Sequence, residues 1–454
     1  MLRGYADMFD KLMRQQMTES IFETNRDTIK DILSVDDKAV DMLAFEASRL
    51  KRQTRIGKHP FLFHGLLSII TSIMYPFKGL RQRVVLGNDD FVLVSCPDTV
   101  FRTESIGLIA GDLKYSIIYL PNFHISSAIQ YNRYFTSKGI KVFFPTIKIG
   151  HIFVAWRTMR HLYKQMVWVG IENTRKKIIQ GVLSSFVIYD QVVKNYMHGA
   201  KSFDGKWLLE HDKFYFMASV INLHQSGKKC TMLQHGIFFR PSFNFIPLFC
   251  DNVLCCSNRE KSIYIENGVS EERIKVFGAP LQTLRRVDNR LIIEKHYDLL
   301  VMMTYIKETN VDLIREVLLY IKQNYTRVLV RMRPRSRKAD KAYLDDYLDG
   351  MTISMPGTPI DEDIICSDKV VSFSEDANVE IAKMHKPFVI VWAEEVRAPQ
   401  SMVKCATREN YKEEIKKLMT QDFYSSYSQE QYREVLGETD IDILRKRFEE
   451  YIRR

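Results

Sequence analysis

Two kinds of hydrophobic spacing divide the chain. Over the first 57 residues apolar positions recur at helical intervals: Met8, Phe9, Leu12 and Met13, then Ile21 and Phe22, then Ile29, Ile32 and Leu33. Ser34-Val35-Asp36-Asp37 offers a capping hydroxyl and first-turn acids for a further helix, whose apolar face is Val40, Leu43, Ala44 and Ala47. From residue 84 short apolar runs alternate with amphipathic stretches, the spacing of βαβ units. Strands are expected at Phe91–Ser95, Tyr115–Leu120, Lys141–Phe144, Ser184–Tyr189, Lys206–Glu210, Lys229–Leu233, Asp251–Ser257 and Arg273–Phe277. Gly278-Ala279-Pro280 then breaks the pattern. A second set starts near residue 297, with strands at Asp298–Met303, Arg327–Arg331, Lys369–Val371 and Lys386–Trp392 and a helix over Asp312–Asn324. Residues 407–454 read as charged helices with Tyr411, Ile415 and Leu418 on one stripe.

This pattern predicts an α/β protein in four stretches: a helical extension over 1–83, α/β units over 84–290 and 291–406, and C-terminal helices over 407–454. With 454 residues, 46% of them hydrophobic and 27% charged, the chain has material for two cores. Within the extension, Pro60–Phe77 contains no Asp, Glu, Lys or Arg and is bracketed by basic residues on both sides. Three readings of it stay open: a buried helix, a helix lying in a membrane surface, and a short span. Basic flanks at both ends give no positive-inside asymmetry in favour of the span.

A net charge of +11 suits an anionic partner, whether nucleotide phosphates, an acidic membrane surface or nucleic acid. Nucleic acid fits worst, because aromatic residues do not interleave with the basic loop as stacking requires. Seven cysteines, odd in number and without a CxxC pair, read as small buried hydrophobes in a reducing compartment. Met1–Gln15 is charged and lacks the apolar run of a signal peptide, which points to the cytoplasm.

Candidate chemistry collects where expected strands end. Lys229–Leu233 stops at Gln234-His235-Gly236, a titratable side chain beside a glycine that permits close backbone approach. The neighbouring strand ends at Glu210-His211-Asp212. On the residues alone His235 is a loop histidine as readily as a functional one. In the second unit, Thr304-Tyr305, Arg333–Lys338 and Ser372–Asp376 should share one sheet edge. The middle loop, with Arg331, Arg333, Arg335, Arg337 and Lys338, suits a diphosphate, because guanidinium forks match phosphate oxygens. Ser372 and Ser374 open a helix whose N-terminus favours phosphate, and Glu380 lies one turn further on. Asp345-Asp346 and Asp361-Glu362-Asp363 resemble metal-binding acid pairs but read as helix ends or solvated faces. No HExxH, Walker A or GxGxxG motif occurs, and no metal site or cofactor is expected.

The order Gln234-His235-Gly236, DNVLCCS, RIKVFGAP, RMRPRS and SDKVVSFSEDANVEIAKMHKPFVIV resembles GT-B glycosyltransferases of bacterial surface (capsule and teichoic acid) polysaccharide synthesis. It is most similar to relatives of the CDP-glycerol glycerophosphotransferases and the capsule sialyl- and Kdo-transferases, over roughly residues 90–400. The resemblance implies two Rossmann-like domains facing across a cleft. It matches His235 and Gly236 to a His-Gly pair ending a first-domain strand. It places donor phosphate at Arg333 and Arg335, and nucleotide at Ser372, Ser374 and Glu380. Arg335 stands where the family has a second histidine, Ser336 where it has a proline, and Glu375 in place of a loop serine. The resulting expectation is a metal-independent transferase acting from a CDP-, CMP- or UDP-linked donor onto a glycan or glycolipid acceptor, peripheral to an anionic membrane surface. His235 and Asp212 would be catalytic, with Gln234, Gly236 and Thr304 beside the donor. A sugar-nucleotide 2-epimerase and a catalytically weak partner subunit of a polysaccharide assembly complex are the alternatives.

Overall fold

The computed structural model describes residues 16–49, 86–95, 106–120, 125–145, 147–200, 203–234, 246–278, 296–304, 311–333, 344–354, 358–373, 380–381, 384, 386–391, 405–420, 437–438 and 440–454. Their strands form two sheets in which every pairing is parallel. The first comprises β1 (Phe91–Ser95), β2 (Tyr115–Tyr119), β3 (Lys141–Phe143), β4 (Lys206–Leu209), β5 (Cys230–Leu233), β6 (Asn252–Cys255) and β7 (Ile274–Val276), in the order β3-β2-β1-β4-β5-β6-β7. The second comprises β8 (Tyr297–Met302), β9 (Val328–Arg331), β10 (Thr352–Ile353), β11 (Ser367–Ser372), β12 (Phe388–Val391) and β13 (Cys405–Ala406), in the order β10-β9-β8-β11-β12-β13. Counted from its own first strand, each sheet begins 3-2-1-4-5-6, the order of a doubly wound Rossmann fold. The expected pair of Rossmann-like domains is present.

Parallel strands covered by helices on both faces must be apolar on both, and FVLVS, YSIIY, CTML and FVIV are buried at every position. Alternate side chains feed separate cores. Val92, Val94, Ile118, Leu209 and Met232 join one layer, while Phe91, Leu93, Ile117, Leu208 and Leu233 join the other.

Two expectations need correcting. Ser184–Tyr189 is not a strand; it lies inside a helix running from Asn173 to Gly199. Its apolar run is continuous because this helix is enclosed by the helices 37–49, 149–165 and 217–225, and Leu183, Val187, Ile188 and Val192 are all buried. A short apolar run reads alike for a buried strand and for a helix buried on several sides. The second correction concerns Ser34, which is not the cap of the helix Asp37–Arg49. It closes the preceding helix in a left-handed conformation (φ 55°), and Asp36 Oδ1 instead accepts the Ala39 N–H at 2.8 Å. The edge strands β10 and β13, two residues each, were too short for any periodicity to show.

The N-terminal helices are built into the first core through Ile29, Leu33, Val40, Leu43 and Ala47. Arg175, almost fully buried, donates to the Ala47 carbonyl at 2.9 Å. At the other end the helix Ile441–Arg453 returns to the opposite face of the first sheet, where Leu444, Phe448 and Ile452 are buried. Phe448 meets Phe91 and Phe277 edge-on at 5.3 and 5.9 Å. Its approach is tight. Gly278 (φ 134°) and Gly437 (φ 64°) face the carbonyls of Glu438 and Cys256, where a Cβ would overlap the backbone. The helix Tyr411–Thr420 packs instead into the second domain through Tyr411, Ile415 and Leu418. Pro60–Phe77 lies outside the described residues, and none of the described helices is long and apolar enough to cross a membrane.

The position of Phe448 makes a direct prediction. Phe448→Ala should lower unfolding free energy by about 3–5 kcal/mol, read from urea denaturation, because it opens a cavity between Phe91 and Phe277. A cost near that of a surface substitution would show that the C-terminal helix does not brace the first sheet.

Candidate functional site

Ligands of doubly wound sheets collect beyond the carboxyl ends of the strands, near the point where strand order reverses. In the second domain that point lies between β8 and β11. Met302 is opposite both Arg331 on β9 and Ser372 on β11, so the chain leaves these three strands at one level. Thr304, two residues past β8, is therefore flanked by Arg333, two past β9, and by the end of β11. The ends of these three strands share one sheet edge; Tyr305, 334–338 and 374–376 lie outside the described residues. Thr304 and Arg333 are half-buried, and Ser372 is fully buried at the strand end. Glu380 follows, half-buried, beside Ile381 in the core. Arg335 and Ser374 lie outside the described residues.

Arg331, grouped by sequence with the basic loop expected to meet phosphate, is engaged within the domain instead. It pairs with Asp363, donates to the Thr358 carbonyl at 3.0 Å, and shares Asp363 Oδ2 with the Ser354 hydroxyl at 2.6 Å. Asp363, read from sequence as part of a helix end, is the buried anchor of that bond and holds the chain at the end of β9. Arg331 is the last residue of β9 and faces away from Val330, whereas Arg333 lies two residues beyond the strand.

In the first domain β4, β5 and β6 are neighbours, and Leu209, Met232 and Val253 line up across them. Gln234, directly after β5, is almost fully buried. Its amide donates to Glu260 Oε1 at 2.7 Å and its carbonyl oxygen accepts from the Tyr264 hydroxyl at 3.2 Å. Glu260 Oε2 in turn accepts the Cys256 N–H at 2.8 Å. Sequence reasoning missed Glu260. Its signal was Ser257-Asn258-Arg259-Glu260, a helix-start box in which the Ser257 hydroxyl accepts from the Glu260 N–H at 3.4 Å.

Asp212 is fully buried beside Lys213, which is equally buried. Lys213 Nζ donates to Asp212 Oδ1 at 2.8 Å and to the Pro247 carbonyl at 2.8 Å, and it sits 4.9 Å from the centre of the Phe249 ring. Asp212 Oδ2 accepts the Phe249 N–H at 2.6 Å. His211 Nδ1 accepts the N–H groups of Asp212 and Lys213 at 2.9 and 3.1 Å, which folds the turn after β4. Burial alone would raise the Asp212 carboxyl, but Lys213 and His211 outweigh it and hold the group at about 2, below its ordinary 3.8.

These contacts change the duties assigned to two residues. With no exposed surface and both oxygens engaged, Asp212 does not meet acceptor hydroxyls. It fixes residues 247–249, while Gln234 is fixed to the helix Asn258–Glu266. His235 and Gly236 lie outside the described residues, in the stretch 235–245 that these two anchors bracket.

No protein-family model matches the chain, and no curated protein matches it in sequence. Solved structures do match in fold. One is S. aureus MnaA in complex with UDP, at 11% identity and TM-score 0.51, over 80% of this chain and 95% of that one. Another is the lipopolysaccharide outer core galactosyltransferase WaaB, at 10% identity and TM-score 0.50, over 80% and 99%. A third is the UDP-GlcNAc 2-epimerase of Neisseria meningitidis bound to UDP-GlcNAc, at 12% identity and TM-score 0.48, over 79% and 98%. Identities of this size speak to architecture alone. The fold is of the GT-B type.

Asp212→Asn leaves the Lys213 ammonium buried without its counter-charge, so it should cost about 3–5 kcal/mol of stability in urea denaturation. Asp212→Asn with Lys213→Met should recover most of that loss. Because the folded carboxyl titrates below the unfolded one, its stabilisation is complete above pH 3.8 and is lost as pH falls through 2. The wild-type protein should therefore lose more stability across that acid window than the double variant.

Proposed function

We propose that this protein is a metal-independent transferase that moves a sugar or polyol phosphate from a nucleotide-linked donor to a hydroxyl of a cell-surface polysaccharide precursor. The observation that carries the reading is the placement of Thr304, Arg333 and Ser372 around the strand-order reversal of the second sheet. A diphosphate there would meet the guanidinium of Arg333, whose fork matches phosphate oxygens. The staphylococcal protein of this fold was solved with UDP, which makes UDP the first nucleotide to test and CDP and CMP the next.

In this reading His235 accepts the proton of the attacking hydroxyl. Arg333 and Arg335 stabilise the charge that develops on the departing nucleotide, donors placed in advance at the site of charge build-up. Gly236 allows the donor close to the backbone, and Ser374 and Glu380 would hold the nucleoside. Asp212 and Gln234 act as positioning residues, since each anchors one end of the stretch that carries His235.

The acceptor side of the proposal rests on the helix Ile149–Gln165. One face is buried through Ala155, Met159 and Leu162. The opposite face exposes Ile149, Phe153 and Trp156, 70%, 67% and 42% open to solvent, with Arg157, Arg160 and Lys164 exposed around them. Arg160 lies 5.5 Å over the Trp156 ring. Apolar side chains ringed by cations fit the interface of an anionic bilayer, where a lipid-linked acceptor would lie.

His235→Ala should lower the transfer rate about 100- to 10,000-fold while leaving nucleotide affinity within a few-fold of wild type. Retention of the wild-type rate would remove His235 from the mechanism. If a UDP-sugar is instead converted with no acceptor added, the protein is an epimerase. Phe153→Asp with Trp156→Asp should abolish sedimentation with phosphatidylglycerol vesicles and leave the fold intact by circular dichroism. Wild-type protein that ignores those vesicles at low salt would refute the membrane face.

A further inference from the structure

At the amino-terminal edge of the first sheet, away from the proposed reaction, a second cluster of chemistry-bearing side chains converges. Cys230 is the first residue of β5, Asp251 directly precedes β6, and His224 lies in the last turn of the helix Met217–Gln225. Gln234 is four residues further along β5 from Cys230, about 13 Å away at the rise of an extended chain. One ligand atom from each of His224, Cys230 and Asp251 lies within 4.8 Å of the other two. The thiol of Cys250, fully buried, lies against that of Cys230.

The geometry separates a metal site from a proton relay. His224 Nε2 is 3.1 Å from Asp251 Oδ2 and 3.9 Å from Cys230 Sγ. In a cysteine–histidine–aspartate relay the thiol and the carboxylate would address different ring nitrogens. Here both approach the same one, so the imidazole does not bridge thiol to carboxylate as a relay requires, whereas a cation between the three atoms would engage all of them at once. Ordinary zinc bond lengths in a tetrahedron put nitrogen and oxygen about 3.3 Å apart and sulfur and nitrogen about 3.6 Å apart, so small adjustments would close the set. The Cys230 N–H donates to Asp251 Oδ2 at 2.9 Å, an orienting bond of the kind that supports metal-binding carboxylates. Arg273 donates to the carbonyls of Asp251 and Cys250 at 2.9 and 2.7 Å and fixes the turn that carries both side chains. The His224 and Asp251 side chains keep 13% and 28% of their surface open, which leaves a path for an ion to buried Cys230.

We propose that His224, Cys230 and Asp251 form a zinc site that ties the helix Met217–Gln225 to β5 and β6. A thiolate, an imidazole and a carboxylate are a donor set that selects zinc over magnesium or calcium, and a water would complete the tetrahedron. The site is independent of the proposed transferase reaction. It departs from the reading of these cysteines as inert hydrophobes, which the sequence supports because they form no CxxC pair.

Purified full-length protein, stripped with chelator under reducing conditions, should take up one zinc per chain in a competition titration and gain thermal stability. Cobalt substitution should give a thiolate-to-cobalt charge-transfer band and the intense visible bands of a tetrahedral site. Cys230→Ser and, as a gentler change at the open side, Asp251→Asn should each weaken zinc binding about 100-fold or more and lose those bands. Wild-type protein that stays folded after stripping and shows no thiolate–cobalt band would overturn the proposal. So would unchanged zinc affinity in both variants.

Discussion

A buried ion pair fixes the geometry on which the first half of the proposed site depends. Asp212 and Lys213, side by side at the end of β4, exchange one bond with each other and one each with the chain at Phe249 and Pro247. Taking two charges out of water is unfavourable, and the arrangement stabilises only because each finds a second partner. The consequence is positional. The stretch 235–245 leaves the sheet from a glutamine locked by Glu260 and Tyr264, and the chain re-enters described structure at a segment locked by Asp212 and Lys213. Gln234 and Asp212, offered by the sequence as site residues, are both engaged in holding chain on either side of that stretch.

The second domain uses the same device once more. Arg331 and Asp363 hold the chain at the end of β9, and Arg333 follows two residues past the strand. In both domains a charged pair within or beside the core fixes described chain next to the carboxyl ends of parallel strands. That repetition follows from the fold. A doubly wound sheet presents its ligand edge only through loops, and loops need fixed ends to hold a productive geometry.

Most of the sheet was legible because parallel buried strands announce themselves as short, continuous apolar runs. The runs at 91–95, 115–119, 230–233 and 297–302 fall within a residue or two of expectation. The run at 184–189 misled because a helix surrounded by other helices is apolar all round, and nothing in six residues separates the two cases. The strand ends were legible in position, since strand order follows from doubly wound topology. Partners across the fold were not. Glu260 meets Gln234 across 26 residues and Asp212 meets Phe249 across 37, and no local pattern encodes such pairings. The same limit hid the convergence of His224, Cys230 and Asp251, which three separate turns bring together.

The central claim is that the carboxyl edge of the second sheet holds a nucleotide diphosphate through Arg333. Calorimetric titration of UDP, CDP and CMP into the wild-type protein and into Arg333→Ala tests it most directly. The account predicts saturable one-to-one binding of a diphosphate nucleotide by the wild type, weakened about 10-fold or more in the variant, as loss of a charge-assisted bond of about 1.5–3 kcal/mol requires. Absence of binding by all three nucleotides, or equal affinity in both proteins, would contradict it.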